Sequence, residues 1–154
     1  MLKRTSKQLS MFSSLEDMLS HQHPLFQLSN KINWECFENA FSPLYCNTNG
    51  RPAHPIRLMC GLLILKHLRN VSDEMVVSQW SENAYYQYFC GGLEFMPKQP
   101  CDASELVHFR NRIGEEGMEL ILAESIRVNT DHDDEDHFDT AFIDSTVQEK
   151  NITY

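Results

Sequence analysis

The densest apolar stretch of the chain runs from Leu58 to Leu65, where L-M-C-G-L-L-I-L offers no polar face. A surface helix shows one apolar stripe, whereas a helix apolar on all sides must be wrapped by its neighbours. The enclosing segment PIRLMCGLLILKHLRN, Pro55 to Asn70, is too long for a strand and reads as one helix. Pro55 suits its first position, where the missing N–H had no partner to lose. Lys66, His67 and Arg69 crowd its last turn, where positive charge complements unpaired carbonyls. The pattern predicts a central core helix around which the other elements are arranged.

Weaker patterns flank it. SMFSSLEDMLS, from Ser10, puts Met11, Leu15, Met18 and Leu19 on one side of a short helix that His21, His23 and Pro24 end. No Cys or carboxylate nearby completes a ligand set for the two histidines, so they read as loop. Asn33 caps a helix carrying Trp34, Phe37 and Phe41 at helical spacing, closed by Pro43. CNTNGRPAHP, with Asn49-Gly50 and two prolines, is turn chemistry. Ser72 caps the helix after the central one, with Asp73 and Glu74 in the first turn and Val76, Val77 and Trp80 inward. Asn83 caps a third, whose Tyr85, Tyr86, Tyr88 and Phe89 precede a stop at Gly91-Gly92. Helices joined by such short turns have helix-turn-helix character, which many small α-bundles share.

A proline-containing link then leads to Asp102 and Glu105, spaced as a capping box. Leu106, Phe109 and Ile113 share one face of the following helix, while His108, Arg110 and Arg112 point away. Gly114 to Gly117 interrupts, and a last helix buries Met118, Ile121, Leu122 and Ile126. DHDDEDHFD, Asp131 to Asp139, repels itself and reads as a solvated linker rather than a metal site for His132 and His137. Beyond it the periodicity changes. Thr140 to Val147 suits a strand, and Ile152 to Tyr154 the start of its hairpin partner.

Composition refines this picture. The chain has 154 residues, 42% of them hydrophobic and 23% charged, which are globular values. A net charge of -9 argues against coating nucleic acid by bulk electrostatics. The acidic stretch after Thr130 supplies most of it, and before that stretch basic and acidic residues nearly balance. A local basic face is therefore compatible with the total. Five cysteines without C-x-x-C spacing read as reduced thiols of a cytoplasmic protein, with Cys60 as core packing. Leu58 to Leu65 is far shorter than the roughly 18 residues that a membrane span requires.

Candidate chemistry is sparse. A cationic outer face beside an apolar inner one can grip phosphates, which singles out Arg110 and Arg112. Alternation along the last strand puts Asp144 on one face with Phe142 and Thr146. A carboxylate on a core strand is costly unless paired or holding a metal. Two-metal phosphodiester chemistry needs several carboxylates gathered from neighbouring elements, and one Asp is too few. No Ser/His/Asp or Cys/His grouping stands out, and Cys60 with His67 is a coincidence of spacing.

The pieces gain meaning together. G-R-P/P-x-x-L-x-x-x-L-x-x-L-K from Gly50, S-D-E…W…N-x-Y-Y-Q-Y-F-x-G, S-x-L-x-x-F-R-x-R and D-S-T-V-x-x-x-N-I-x-Y occur in order. From about Trp34 to Tyr154 the chain resembles bacterial insertion-sequence transposases of the DDE type, the group with an InsH-like N-terminal helical domain. The resemblance implies a helical domain that recognises the terminal inverted repeats of the element. It also implies that Asp144, in I-D-S-T, is the first of three acidic ligands for Mg2+ or Mn2+ in a ribonuclease-H-like domain. The other two acids of that family fall further downstream, so the chain as given is expected to be catalytically incomplete and to hold no metal stably.

These readings combine into one expectation: a mainly α protein, with a helical bundle of helix-turn-helix character followed by an acidic linker and the first strands of an incomplete ribonuclease-H-like domain. The divisions expected are a flexible N-terminus over 1–9, the helical domain over 10–129, the linker over 130–139 and the catalytic-domain start over 140–154. Arg51, Arg57, Lys66, Arg69, Arg110 and Arg112 are the candidates for contact with double-stranded DNA. Self-association, or association with full-length transposase, is the other partnership to expect. In the alternative reading the chain is an interaction module that docks on intact transposase and inhibits it, through the aromatic helix Ala84 to Cys90 if that surface is exposed.

Overall fold

The computed structural model describes residues 14–45 and 53–130. The expected N-terminus, the acidic linker after Thr130 and the strand with Asp144 lie outside those residues. Within them the chain is helical: α1 (Leu15–Met18), α2 (Pro24–Lys31), α3 (Trp34–Phe41) with a 3-10 turn (Ser42–Leu44), α4 (Ile56–Arg69), α5 (Asp73–Glu82), α6 (Ala84–Phe89) and α7 (Ala103–Thr130).

Helix α4 is the centre. Ile56 and every residue from Leu58 to Leu65 are buried, and α3, α5 and α7 pack around it. Pro55 is the cap residue, one place earlier than its expected first-turn position. At the far end Asn70 adopts the left-handed conformation (φ 55°) that releases the chain, and Val71 N–H bonds back to the Lys66 carbonyl. Three residues, Asn70 to Ser72, then separate α4 from α5. Ser72 and Asn83 cap α5 and α6 as expected, the Asn83 side chain accepting from both Tyr85 and Tyr86 N–H.

The interior explains the one glycine of α4. A Cβ on Gly61 would lie 2.6 Å from Cys90 Sγ and 3.2 Å from Cys90 Cα. The end of α6 therefore rests directly on the α4 backbone.

Two expectations are corrected on the α2 side. Pro24 does not end a helix but opens α2, at the first position, with the His23 ring as the cap accepting from Leu25 N–H at 3.1 Å. Met18, expected inward, is exposed, and only Leu15 of α1 is buried. Helix α2 in turn covers α6: Phe26 stacks on Tyr88 and His23 on Tyr85, with ring centroids 4.4 and 3.8 Å apart. Tyr86 and Phe89 are buried outright. The aromatic helix is thus an internal seam and not an exposed docking surface.

Helix α7 changes direction at Gly114, whose φ of 68° and ψ of −172° are non-helical, and hydrogen-bonded helix resumes at once. The interruption expected over four residues is one residue wide. After it the buried stripe is Gly117, Ile121, Glu124, Ser125, Val128 and Asn129, while Leu122 and Ile126, expected inside, are exposed. The stripe has helical spacing but is half polar, because Glu124 has fixed partners: it accepts from Asn33 N–H at 2.9 Å and from Arg127.

A Gly61→Ala change gains helix propensity of about 1 kcal/mol in an open helix. Here overpacking against Cys90 outweighs it, and we expect a net loss of about 1–3 kcal/mol in urea or thermal unfolding. Adding Cys90→Ala removes the Sγ contact and should restore part of that loss. A fully additive pair would contradict the contact.

Candidate nucleic-acid interface

The cations expected to meet DNA fall at the ends of α4 and along the first half of α7. Lys66 and Arg110 converge on one acid. Arg110 grips Asp73 with both guanidinium nitrogens, at 2.8 and 2.7 Å, and Lys66 Nζ lies 3.2 Å from the same carboxylate. Asp73 opens α5, Lys66 closes α4 and Arg110 belongs to α7, so one carboxylate fastens three helices. The Arg110 guanidinium, and after it Lys66, hold the Asp73 carboxyl below its ordinary pKa, while partial burial opposes them. Arg110, expected to point away, is turned sideways onto α5.

Arg57 lies at the opposite end of α4, half-buried. Its guanidinium carbon sits 4.6 Å from the Trp34 ring centre, and one Nη donates to Ser29 Oγ at 3.0 Å. Arg69 is exposed, with its guanidinium 5.9 Å from the centre of the Tyr86 ring. Arg112 is exposed too, and lies 4.3 Å over Tyr45. Arg51 falls outside the described residues, as does Asp144. Asp73, Ser29, Trp34 and Tyr45 were not singled out as site residues from sequence. Asp73 carried only the signal of an acid in a first turn, and its partner lies 37 residues away.

Other reactive groups are structural. His21 and His23 stack on Phe26 and Tyr85. Burial pushes the Cys60 and Cys90 thiols up, and His67, the imagined partner of Cys60, lies on the exposed side of α4. Among the described residues no three His, Cys, Asp or Glu side chains converge as a metal site needs, and no helix is long and apolar enough to cross a membrane.

Comparison with known proteins decides the lineage. Residues 13–112, which hold α1 to α6 and the first half of α7 up to Arg112, match the family described as Transposase domain (DUF772). The chain belongs to that family. It is also 38% identical over 142 residues to "Uncharacterized protein ORF8 in nfe locus" of Rhizobium meliloti, a match covering 91% of this chain and 68% of that protein. No solved structure matches. The DDE-type resemblance read from the motifs thus agrees with a transposase-domain assignment. The matched span ends two residues past Arg110, so the Asp73 junction lies wholly inside the domain.

In this transposase domain the Asp73 junction makes a pH-dependent contribution. A carboxyl whose folded pKa is lowered stabilises fully above its unfolded value, near 3.8, and loses that stabilisation as pH falls through the folded value. Asp73→Asn should cost about 2 kcal/mol at pH 7. The gap from wild type should narrow as pH drops below about 4. Thermal melts across pH 2.5–7 test this, and a gap that is constant with pH would refute the assignment.

Proposed function

We propose that this helical domain binds double-stranded DNA at the ends of an insertion sequence, as the recognition part of a DDE-type transposase. The observation that carries the reading is the family match over residues 13–112, which coincides with the α4-centred bundle. Net charge does not oppose it. The residues up to Thr130 hold 12 Lys and Arg against 14 Asp and Glu, so contact must come from local cations rather than a bulk field. Arg69 and Arg112, both exposed and both resting on an aromatic ring, are the contacts most ready to meet phosphates. Arg51, Arg57, Lys66 and Arg110 complete the proposed set. Lys66 and Arg110 do so only in competition with Asp73.

Strand transfer belongs, on this proposal, to an acid set in which Asp144 is the first ligand of Mg2+ or Mn2+. Bound divalent ions would activate the attacking oxygen and stabilise the leaving one. The described residues supply the recognition half of that division of labour.

Fluorescence anisotropy with a labelled duplex carrying an element end tests the reading. Binding should weaken linearly in log–log terms as salt rises, as counterion release requires. Arg69→Ala and Arg112→Ala should each cost about 1 kcal/mol on every duplex, and each should reduce the salt slope by about one. Wild-type protein that binds no duplex at 50 mM salt would end the proposal.

A further inference from the structure

Arg57 and Arg110 turn inward, whereas Arg127 stays exposed against Glu124, and the three are not alike. Arg110 closes a two-pronged pair on Asp73, and Arg127 does the same on Glu124. Arg57 has no such partner: among the described residues no carboxylate pairs with it, and its one hydrogen bond goes to Ser29 Oγ. Its Nε makes no hydrogen bond and is closed off beside Gly91, so only the Nη end of the fork can meet a ligand from outside. A guanidinium carries five donors in a fork that matches carboxylate and phosphate oxygens, and it cannot shed its charge. Leaving such a group half-buried with no counter-charge is costly, and the Trp34 ring and Ser29 Oγ answer it only in part.

The surroundings hold this side chain in one place. Ser29 is 2% exposed and works twice: its hydroxyl accepts from Arg57, and its carbonyl accepts from Trp34 Nε1 at 2.8 Å. Trp34 in turn offers its ring face to the guanidinium. On the other side Gly91, at φ 90°, leaves the room that the arginine stem occupies, because a Cβ there would stand 2.9 Å from Arg57 Cδ. Three separate elements, α2, α3 and the turn after α6, therefore fix a cation whose own element supplies no counter-charge. Immobilising a side chain ahead of its ligand is what makes an oxyanion site tight.

We infer that Arg57, oriented by Ser29 and Trp34, is the seat of a single phosphodiester oxygen of bound DNA. The inference rests on the DNA-binding reading above and deepens it. It assigns a fixed, partly desolvated contact at the N-terminal end of α4, distinct from the exposed cations near its C-terminal end. A phosphodiester oxygen accepts from the Nη end of Arg57 beside the Ser29 bond, and it carries no sequence information. Arg57 accordingly sets register and not specificity.

The test compares wild type with Arg57→Met, which keeps the stem against Trp34 and Gly91 but removes the fork, and with Arg57→Lys, which keeps charge alone. Anisotropy with element-end and unrelated duplexes is measured from 50 to 200 mM salt beside a thermal melt of each protein. Arg57→Met should bind every duplex about tenfold more weakly, with the salt slope reduced by about one and a melting temperature unchanged or raised. Arg57→Lys should fall between the two. Should Arg57→Met fail to fold, a loss of affinity in folded Arg57→Lys on every duplex still supports the site, and unaltered affinity overturns it. Variants that bind as wild type does overturn the Arg57 site and leave the DNA reading standing. Wild-type protein that binds no duplex overturns both. Tighter retention of an acidic peptide than of duplex, lost in Arg57→Met, would assign the site to a protein carboxylate and overturn the phosphodiester.

Discussion

A helix without a polar face cannot exist in water by itself, and α4 is such a helix. Its seven large buried side chains, Ile56, Leu58, Met59, Leu62, Leu63, Ile64 and Leu65, remove apolar surface worth on the order of 10–20 kcal/mol. That figure is an upper bound set against an extended chain, yet it still equals or exceeds the usual net stability of a domain. Helices α3, α5 and α7 are held in place by the need to cover it. The same constraint sorts the charges. With the middle of α4 closed to them, its cations gather at the ends, Arg57 at one and Lys66 and Arg69 at the other. At 1.5 Å per residue Arg57 and Arg69 stand about 18 Å apart along the axis, so they cannot share a phosphate.

Packing alone leaves the links between helices loose, and a few buried polar groups tie them. Gln87 is fully buried within α6, where its side chain donates to the Trp80 and Met96 carbonyls and accepts from Met96 N–H. That clamp orders the link before α7 even though Leu93, Phe95 and Met96 themselves face outward. Glu124 ties α7 to the start of α3, and Asp73 ties α4, α5 and α7. Each group is satisfied on several sides, which is the condition under which a buried polar residue specifies a structure instead of weakening it.

What could be read from the sequence was what is local. The apolar run of α4, the caps at Ser72 and Asn83 and the inward Leu106, Phe109 and Ile113 depend on spacing within one element, and the structure bears them out. Helix α2 was missed because Pro24 can stop one helix or start the next, and the cap that settles the matter is a histidine, an uncommon choice. The phase of the second half of α7 was misjudged for another reason. Apolar periodicity pointed to Leu122 and Ile126, whereas the true inner face holds Glu124, whose partner lies 91 residues away. Contacts of that separation leave no trace in a single sequence. Arg57 was legible as a cation but not as an unpaired one.

That difference between cations matters more than their number. An exposed arginine gains little when it meets a phosphate, because water already answers it, and salt readily screens the contact. An arginine paired with a carboxylate must break one ion pair to make another, and the exchange is nearly balanced. Arg57 stands in a third condition: its desolvation was met on folding, its orientation is fixed by Ser29 and Trp34, and no pair has to be broken. On the Arg57 proposal it has more to gain from an incoming anion than Arg110, which must first release Asp73. A chain with nearly equal acids and bases ahead of its acidic stretch has no strong field to draw DNA in. On the proposed DNA-binding reading it relies on the placement of single cations, and a core helix that confines them to its two ends is one way to secure that placement.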